Sequence, residues 1–214
     1  MNKIKNLIEN KNIIVIGVTG GVGCGKSSVV DYVEKKYGAS VYKADDIGRE
    51  IMSIGEDAYN DIVATFGDEI LLEDKNINRE KLASIVFNNE PLLKKLNSII
   101  HPAVEENIIN SIYNAYVWEG QKLFVIEAAL LIEAGYKDFC NELWYVYADV
   151  QTRIERLMSS RDYTKDKCLN IMNNQLSDDE FKANCDYILD NTKDFDITKN
   201  EIEKHMNFCY NYNY

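Results

Sequence analysis

Residues 20–27 read GGVGCGKS and satisfy the spacing G-x-x-x-x-G-K-[ST] with Gly20, Gly25, Lys26 and Ser27. Glycines this dense carry an entropic penalty, so the chain must need the conformations that they allow. Successive backbone N–H groups in such a loop can turn inward as an anion-binding nest, and the helix that follows adds its positive end. Lys26 reaches the β- and γ-phosphates of a nucleotide, and Ser27 offers a hydroxyl to Mg²⁺. A random chain of this length would match the pattern roughly one time in a hundred from average residue usage. Here a buried apolar run precedes it and a helical pattern follows, which is the context the motif requires. The expected nucleotide contacts are Gly21, Val22, Gly23, Cys24, Gly25, Lys26, Ser27 and Ser28. Cys24 reads as a small filler, although nearness to Lys26 and a helix N-terminus would lower its thiol pKa and sensitise it to oxidation.

A phosphate loop does not say what receives the phosphate. Asp45 falls at the end of a second short apolar run, on the sheet edge that carries the loop. A carboxylate there can accept the proton of an attacking hydroxyl. The competing role is a helix N-cap, for which Asp45 and Asp46 are both suited. Arg49 follows Asp45 by four residues, so an ordinary ion pair along one helix face competes with acceptor binding. The stretch DDIG at 45–48 imitates a GTPase switch, but it follows the loop too closely, and no guanine-reading N/T-K-x-D occurs at a suitable distance. Glu127 ends a third apolar run and is a candidate for holding Mg²⁺ or its waters, against a partly buried ion pair with Lys26.

These residues need a scaffold, and the hydrophobic pattern supplies one. Short β-branched runs at 13–18, 39–45, 122–128, 142–148 and 186–190 alternate with helical segments at 27–37, 150–160, 164–177 and 194–208. Between residues 56 and 118 the strand signal fades into four helical segments, two of which begin near Pro91 and Pro102. Strands separated by helices imply a mostly parallel sheet covered on both faces, with ligands beyond the carboxyl ends of the strands.

The chain of 214 residues has a net charge of −11, which disfavours a general nucleic-acid binder but leaves room for small anions held by local Lys and Arg. Its five cysteines form no CxxC pair, so reduced thiols and a cytoplasmic setting are expected rather than disulfides or zinc. The leading MNKIKNLIENKN resembles a weak basic leader, but the apolar run after it is short and enters the glycines. Neither a signal peptide nor a membrane span is expected. The Tyr- and Asn-rich FCYNYNY at the end reads as a frayed tail, and oligomeric state cannot be read.

The ordered series GVTGGVGCGKSSV, ADDIGRE, INREKLASIVF, IIHPAVEE, VIEAALLIEAG, RIERLMSSRD and CDYILDNT, spread over about residues 13–205, resembles the dephospho-coenzyme A kinase family. The resemblance implies a three-layer α/β/α phosphate-loop kinase fold with a five-stranded parallel sheet and a single domain. Its core would be 13–45, 119–149 and 185–208, with a helical acceptor lobe at 46–118 and a lid at 150–180. It implies ATP and Mg²⁺ as cofactors and transfer to the ribose 3′-hydroxyl of dephospho-coenzyme A, with no nucleic-acid or membrane partner. Asp45 would be the general base, Arg49 and His101 would bind the acceptor, and Ser27 and Glu127 would hold the metal. Lys26 and the lid arginines Arg156 and Arg161 would stabilise the transferring phosphoryl, with Arg153 and Gln175 nearby on the lid helices. Against His101 stands a packed or capping histidine, and against Arg153 a solvated helix charge.

Three departures qualify that pattern. The family's D-A-D triplet is KAD here, so Asp45 is kept and Lys43 replaces the first Asp. Lys43 either adds positive charge near phosphates or points to solvent. The family's Asp-x-Pro-Leu-Leu is EAALL, and RLMSSRD is one residue longer than usual, leaving Arg161 or Ser160 as the lid position. The competing functions are another small-molecule or nucleoside kinase and a nucleotide-binding regulator without turnover.

Overall fold

The computed structural model describes residues 2–10, 12–87 and 89–211. Its strands are β1 (Ile14–Thr19), β2 (Ser40–Lys43), β3 (Leu123–Glu127), β4 (Glu142–Tyr147) and β5 (Tyr187–Asp190), all parallel, in the order β2-β3-β1-β4-β5. Side chains alternate between two cores because strand periodicity is two. Val15, Phe124, Ile126 and Leu143 enter one core, and Ile16, Val18, Leu123, Val125, Trp144 and Val146 enter the other. Burial on both faces explains why the central strands read as continuous apolar runs.

The helices are α1 (Asn2–Glu9), α2 (Lys26–Tyr37), α3 (Ala44–Glu50), α4 (Asp57–Phe66), α5 (Arg79–Val86), α6 (Glu90–Asn114), α7 (Val150–Arg161), α8 (Lys165–Asn173), α9 (Asp178–Asn184) and α10 (Phe195–Tyr210). Val29, Val30 and Val33 of α2 and Ile202 and Met206 of α10 cover one face. Residues of α1 and α3–α6 cover the other, including Ile4, Ile47, Ile62, Leu82, Ile108 and Ile112. The result is three layers, as the alternation of runs implies. After β3 the chain passes β1 and continues at β4, so the direction of strand addition reverses beside β1. A crevice opens at the carboxyl ends of strands at such a point.

Several local expectations differ from the structure. The segments expected to start anew at Pro102 are one 25-residue helix, α6, with Pro102 inside it, extended by a π-type turn over Ala115–Glu119. A proline inside a helix costs about 3 kcal/mol. Burial of Leu96, Val104, Ile108, Ile109 and Ile112 outweighs that at about 1.5–3 kcal/mol each, so packing decides. Pro91 does lie in the first turn, as expected. The leader-like N-terminal segment forms helix α1, where Ile4 is wholly buried and Lys5 lies 3.9 Å from Asp138. The C-terminal tail is helical through Tyr210, and residues 212–214 of it lie outside the described residues. Among the described residues, no helix is long and apolar enough to cross a membrane.

Candidate active site

The loop between β1 and α2 is shaped by close approach. Gly25 adopts φ 93° at the N-cap of α2, and a Cβ there would stand 2.3 Å from Asn191 Nδ2. Gly20 packs so tightly that a Cβ would meet the Val146 carbonyl oxygen at 2.4 Å. No side chain caps α2, so its first-turn amides and dipole end face the crevice.

The loop's carbonyls are held by polar side chains. Lys26 Nζ donates to Gly20 O at 2.7 Å, and Arg153 Nε donates to Val22 O at 2.9 Å. Cys24 O accepts from Asn191 Nδ2 at 2.8 Å and from Arg156 at 3.3 Å. Arg156 also donates to Asn191 O at 2.8 Å, and Thr198 Oγ1 donates to Asn191 Oδ1 at 3.0 Å. Gln175 Oε1 accepts from Val22 N at 2.8 Å and from Arg153 at 3.4 Å. Arg153, Asn191 and Thr198 are nearly fully buried.

Arg153 is therefore a buried clamp on the loop rather than a solvated helix charge. Gln175 stands in the turn between α8 and α9, not on a helix as expected, yet it reaches the same clamp. Asn191 was not among the residues singled out from sequence. Its signals were its place directly after the fifth apolar run and within the segment CDYILDNT, and its role depends on which loop that strand end meets. Burial pushes the Cys24 thiol above its ordinary value despite Lys26, in agreement with a small buried filler and against an activated thiol.

A cavity of about 630 Å³ opens beyond this loop. Its lining brings together Lys26, Ser27, Ser28, Lys43, Asp45, Arg49, Glu127, Arg156, Ser160, Arg161 and Gln175. Gly23, Gly25 and Val22 line it too, whereas buried Cys24 does not. Lys43 thus faces the cavity rather than bulk solvent, and it lies opposite Glu127 in the β2–β3 register. Both candidates for the lid position, Ser160 and Arg161, reach it. Arg156 is anchored to the loop backbone, while Arg161 ends α7 exposed.

Asp45 was expected to end the second strand but lies in the first turn of α3; β2 stops two residues earlier at Lys43, which itself occupies the N-cap without a side-chain cap bond. Asp45 is therefore not spent as a cap, and it is exposed to the cavity. Buried Tyr136 is near enough to feel its charge; burial first, then Glu105 and Asp45, push that phenol well above its ordinary range. Arg49 pairs with Asp46 rather than with Asp45. A second hollow of about 680 Å³ shares Asp46 and Arg49 with the first and continues past Met52, Leu72, Asn76 and Arg79. His101 sits half-buried in α6 and is not among the residues lining the cavity; burial lowers its pKa, with Glu133 opposing.

Glu127 ends β3 beside the loop. Its Oε1 accepts from Ser27 Oγ at 3.1 Å, and its Oε2 is buried without a hydrogen-bond partner. The alternative ion pair with Lys26 does not form, because the lysine turns to Gly20 O. A buried carboxylate oxygen left unpaired is costly unless something satisfies it. A hydroxyl and a carboxylate side by side are hard oxygen donors of the kind Mg²⁺ takes. The residues present therefore fit that ion.

A nucleotide-phosphate loop at a sheet's switch point, with a cluster of Lys, Arg and carboxylate across a shared cavity, defines a phosphate-loop kinase. The dephospho-CoA kinase family model matches residues 14–196. A dephospho-CoA kinase of Lactobacillus johnsonii is 36% identical over 83% of this chain and 88% of its own. One from Bacillus cereus is 35% identical over 89% and 94%, and the Saccharomyces cerevisiae enzyme is 36% identical over 84% and 76%. The chain belongs to the dephospho-CoA kinase family. In fold it resembles a Thermus thermophilus protein of known crystal structure, with a TM-score of 0.78 at 22% identity over 92% of this chain and 98% of that one. The Campylobacter jejuni dephospho-CoA kinase gives 0.64 at 23% identity over 91% and 96%.

Proposed function

We propose that the protein transfers the γ-phosphoryl group of ATP to the ribose 3′-hydroxyl of dephospho-coenzyme A, the last step of coenzyme A synthesis. The observation that carries this reading is the exposed, uncapped Asp45 carboxylate in one cavity with Lys26 and the loop. In this reading the loop amides and the end of α2 bind the phosphates, and Lys26 leaves Gly20 O to meet them. Ser27 and Glu127 would hold Mg²⁺, and the bound ion would supply positive charge to the phosphates of the nucleotide. Asp45 takes the proton of the 3′-hydroxyl as that oxygen attacks the γ-phosphorus. Arg156 and Arg161 approach from the α7 side and spread the charge that develops, with Lys43 adding to the positive field. The hollow that continues past Arg49 and Arg79 has the room for the rest of an extended acceptor. The helical stretch from α3 to α6 then acts as the acceptor lobe and α7–α9 as the lid.

The test is ADP release with ATP, Mg²⁺ and a panel of acceptors, each repeated with chelator. Dephospho-coenzyme A is expected to be the preferred acceptor, with turnover lost on chelation. Preference for a nucleoside would make the protein a different kinase of the same fold. Tight ATP binding without turnover on any acceptor would make it a regulator.

A further inference from the structure

Far from the phosphate loop, at the amino ends of the strands, three potential metal ligands converge. Glu142 is the first residue of β4, and His205 and Cys209 lie one turn apart on α10. A carboxylate oxygen, an imidazole nitrogen and the Cys209 sulfur all lie within 4.8 Å of one another. Among the described residues, no other group of three such ligands is as close. His205 Nε2 stands 2.7 Å from Glu142 Oε2 and 3.6 Å from Cys209 Sγ.

The surroundings hold this arrangement firmly. The Tyr187 ring stacks on the imidazole at 3.7 Å between centroids, and Trp144 meets it edge-on at 5.4 Å. Trp144 Nε1 donates to Glu142 Oε2 at 2.9 Å. Burial alone would raise the Glu142 carboxyl, but the hydrogen bonds from His205 and Trp144 outweigh it and hold that group below its ordinary range. The Tyr210 hydroxyl, buried and without a hydrogen-bond partner in normal geometry, faces the same carboxylate. Cys209 is exposed, so an ion has a path from solvent.

We propose that Glu142, His205 and Cys209 form a binding site for a borderline-soft divalent cation of the Zn²⁺ type, with water or the Tyr210 hydroxyl as fourth ligand. Tetrahedral zinc with ordinary bond lengths puts sulfur and nitrogen about 3.6 Å apart, and nitrogen and oxygen about 3.4 Å apart. The sulfur–nitrogen separation already meets that geometry, and the nitrogen–oxygen pair must open from 2.7 Å. On binding, Cys209 loses its thiol proton and His205 gives up its Nε2 hydrogen bond to Glu142, taking the tautomer with its proton on Nδ1 so that the Nε2 lone pair faces the ion. The donor set favours zinc over Mg²⁺, which prefers all-oxygen ligands, so the two sites select different ions. Because the ligands come from α10 and β4, the ion ties the last helix to the sheet.

Co²⁺ serves as a spectroscopic probe of metal-free full-length protein. The expected result is a thiolate-to-cobalt charge-transfer absorption, with intense visible bands of tetrahedral cobalt, saturating at one equivalent and displaced by Zn²⁺. Cys209→Ser should lose the charge-transfer band and bind at least about tenfold to a hundredfold more weakly. Without metal this exposed substitution should keep the wild-type Tm and turnover. Zn²⁺ should raise Tm in the wild type and not in the variant. A weak six-coordinate spectrum in the wild type, or a charge-transfer band that survives Cys209→Ser, overturns the proposal.

Discussion

The two walls of the cleft are built in different ways. On the loop side, the carbonyls of Gly20, Val22 and Cys24 are each held by a side chain, from the buried Arg153 and Asn191 and the half-buried Lys26 and Arg156. On the α3 side, Asp45, Asp46 and Arg49 stand exposed on a seven-residue helix, with an Arg49–Asp46 pair as the main polar contact. The loop wall is held in one conformation before anything binds, whereas the α3 wall keeps its charges exposed; in the proposed function the first would take phosphate and the second the acceptor. An exposed pair such as Arg49–Asp46 contributes little to stability, so exchanging it for an acceptor's phosphates is inexpensive.

That contrast makes four substitutions in the two walls informative, and a fifth in α6 serves as a control. Asp45→Asn should give the largest effect, a fall in kcat of about a hundredfold or more with ATP affinity and Tm nearly unchanged, measured by ADP release and ligand titration. Near-normal turnover would remove Asp45 from catalysis. Arg156→Ala and Arg161→Ala should separate next. Both should lower kcat by about tenfold or more, but only Arg156→Ala should also lower Tm, since Arg156 alone is bonded to the loop backbone. Asn191→Ala removes a buried hydrogen bond to Cys24 O and should cost about 1–3 kcal/mol in denaturant unfolding while raising KM for ATP. An effect confined to acceptor kinetics would contradict the division into two walls. The smallest effect on turnover should come from Pro102→Ala, which should leave ATP binding unaltered and stabilise the protein by up to about 3 kcal/mol, because it restores a helix rung within α6.

Much of the loop wall was legible in the residues themselves. Gly20, Gly25, Lys26 and Ser27 act through backbone geometry over a few residues, so their spacing states their arrangement. The clamp was not legible in the same way. Arg153 looked like one more charge on a polar helix, and it is buried only because α7 packs over the loop. His101 matched a family segment, and continuation of α6 through Pro102 places it half-buried and outside the lining of the cavity, a position that the motif alone does not give. Glu127 was singled out by its place at a strand end, while its orphaned oxygen and the turning away of Lys26 required side-chain packing to be seen.

By itself, then, the sequence determined the alternating strands and helices, the phosphate loop and the family, because each depends on local periodicity or on residues close together in the chain. Only the tertiary structure decided that α6 is continuous, that Arg153, Arg156 and Asn191 grip the loop, and that Asp45 shares a cavity with Lys26. The grip on the loop rests on contacts between segments more than a hundred residues apart, the shared cavity on a carboxylate and an ammonium from different strand ends, and the continuity of α6 on its packing against α3, α4 and α5. Such distances are closed by burying two apolar faces of one sheet, and no local pattern records which strand ends will meet.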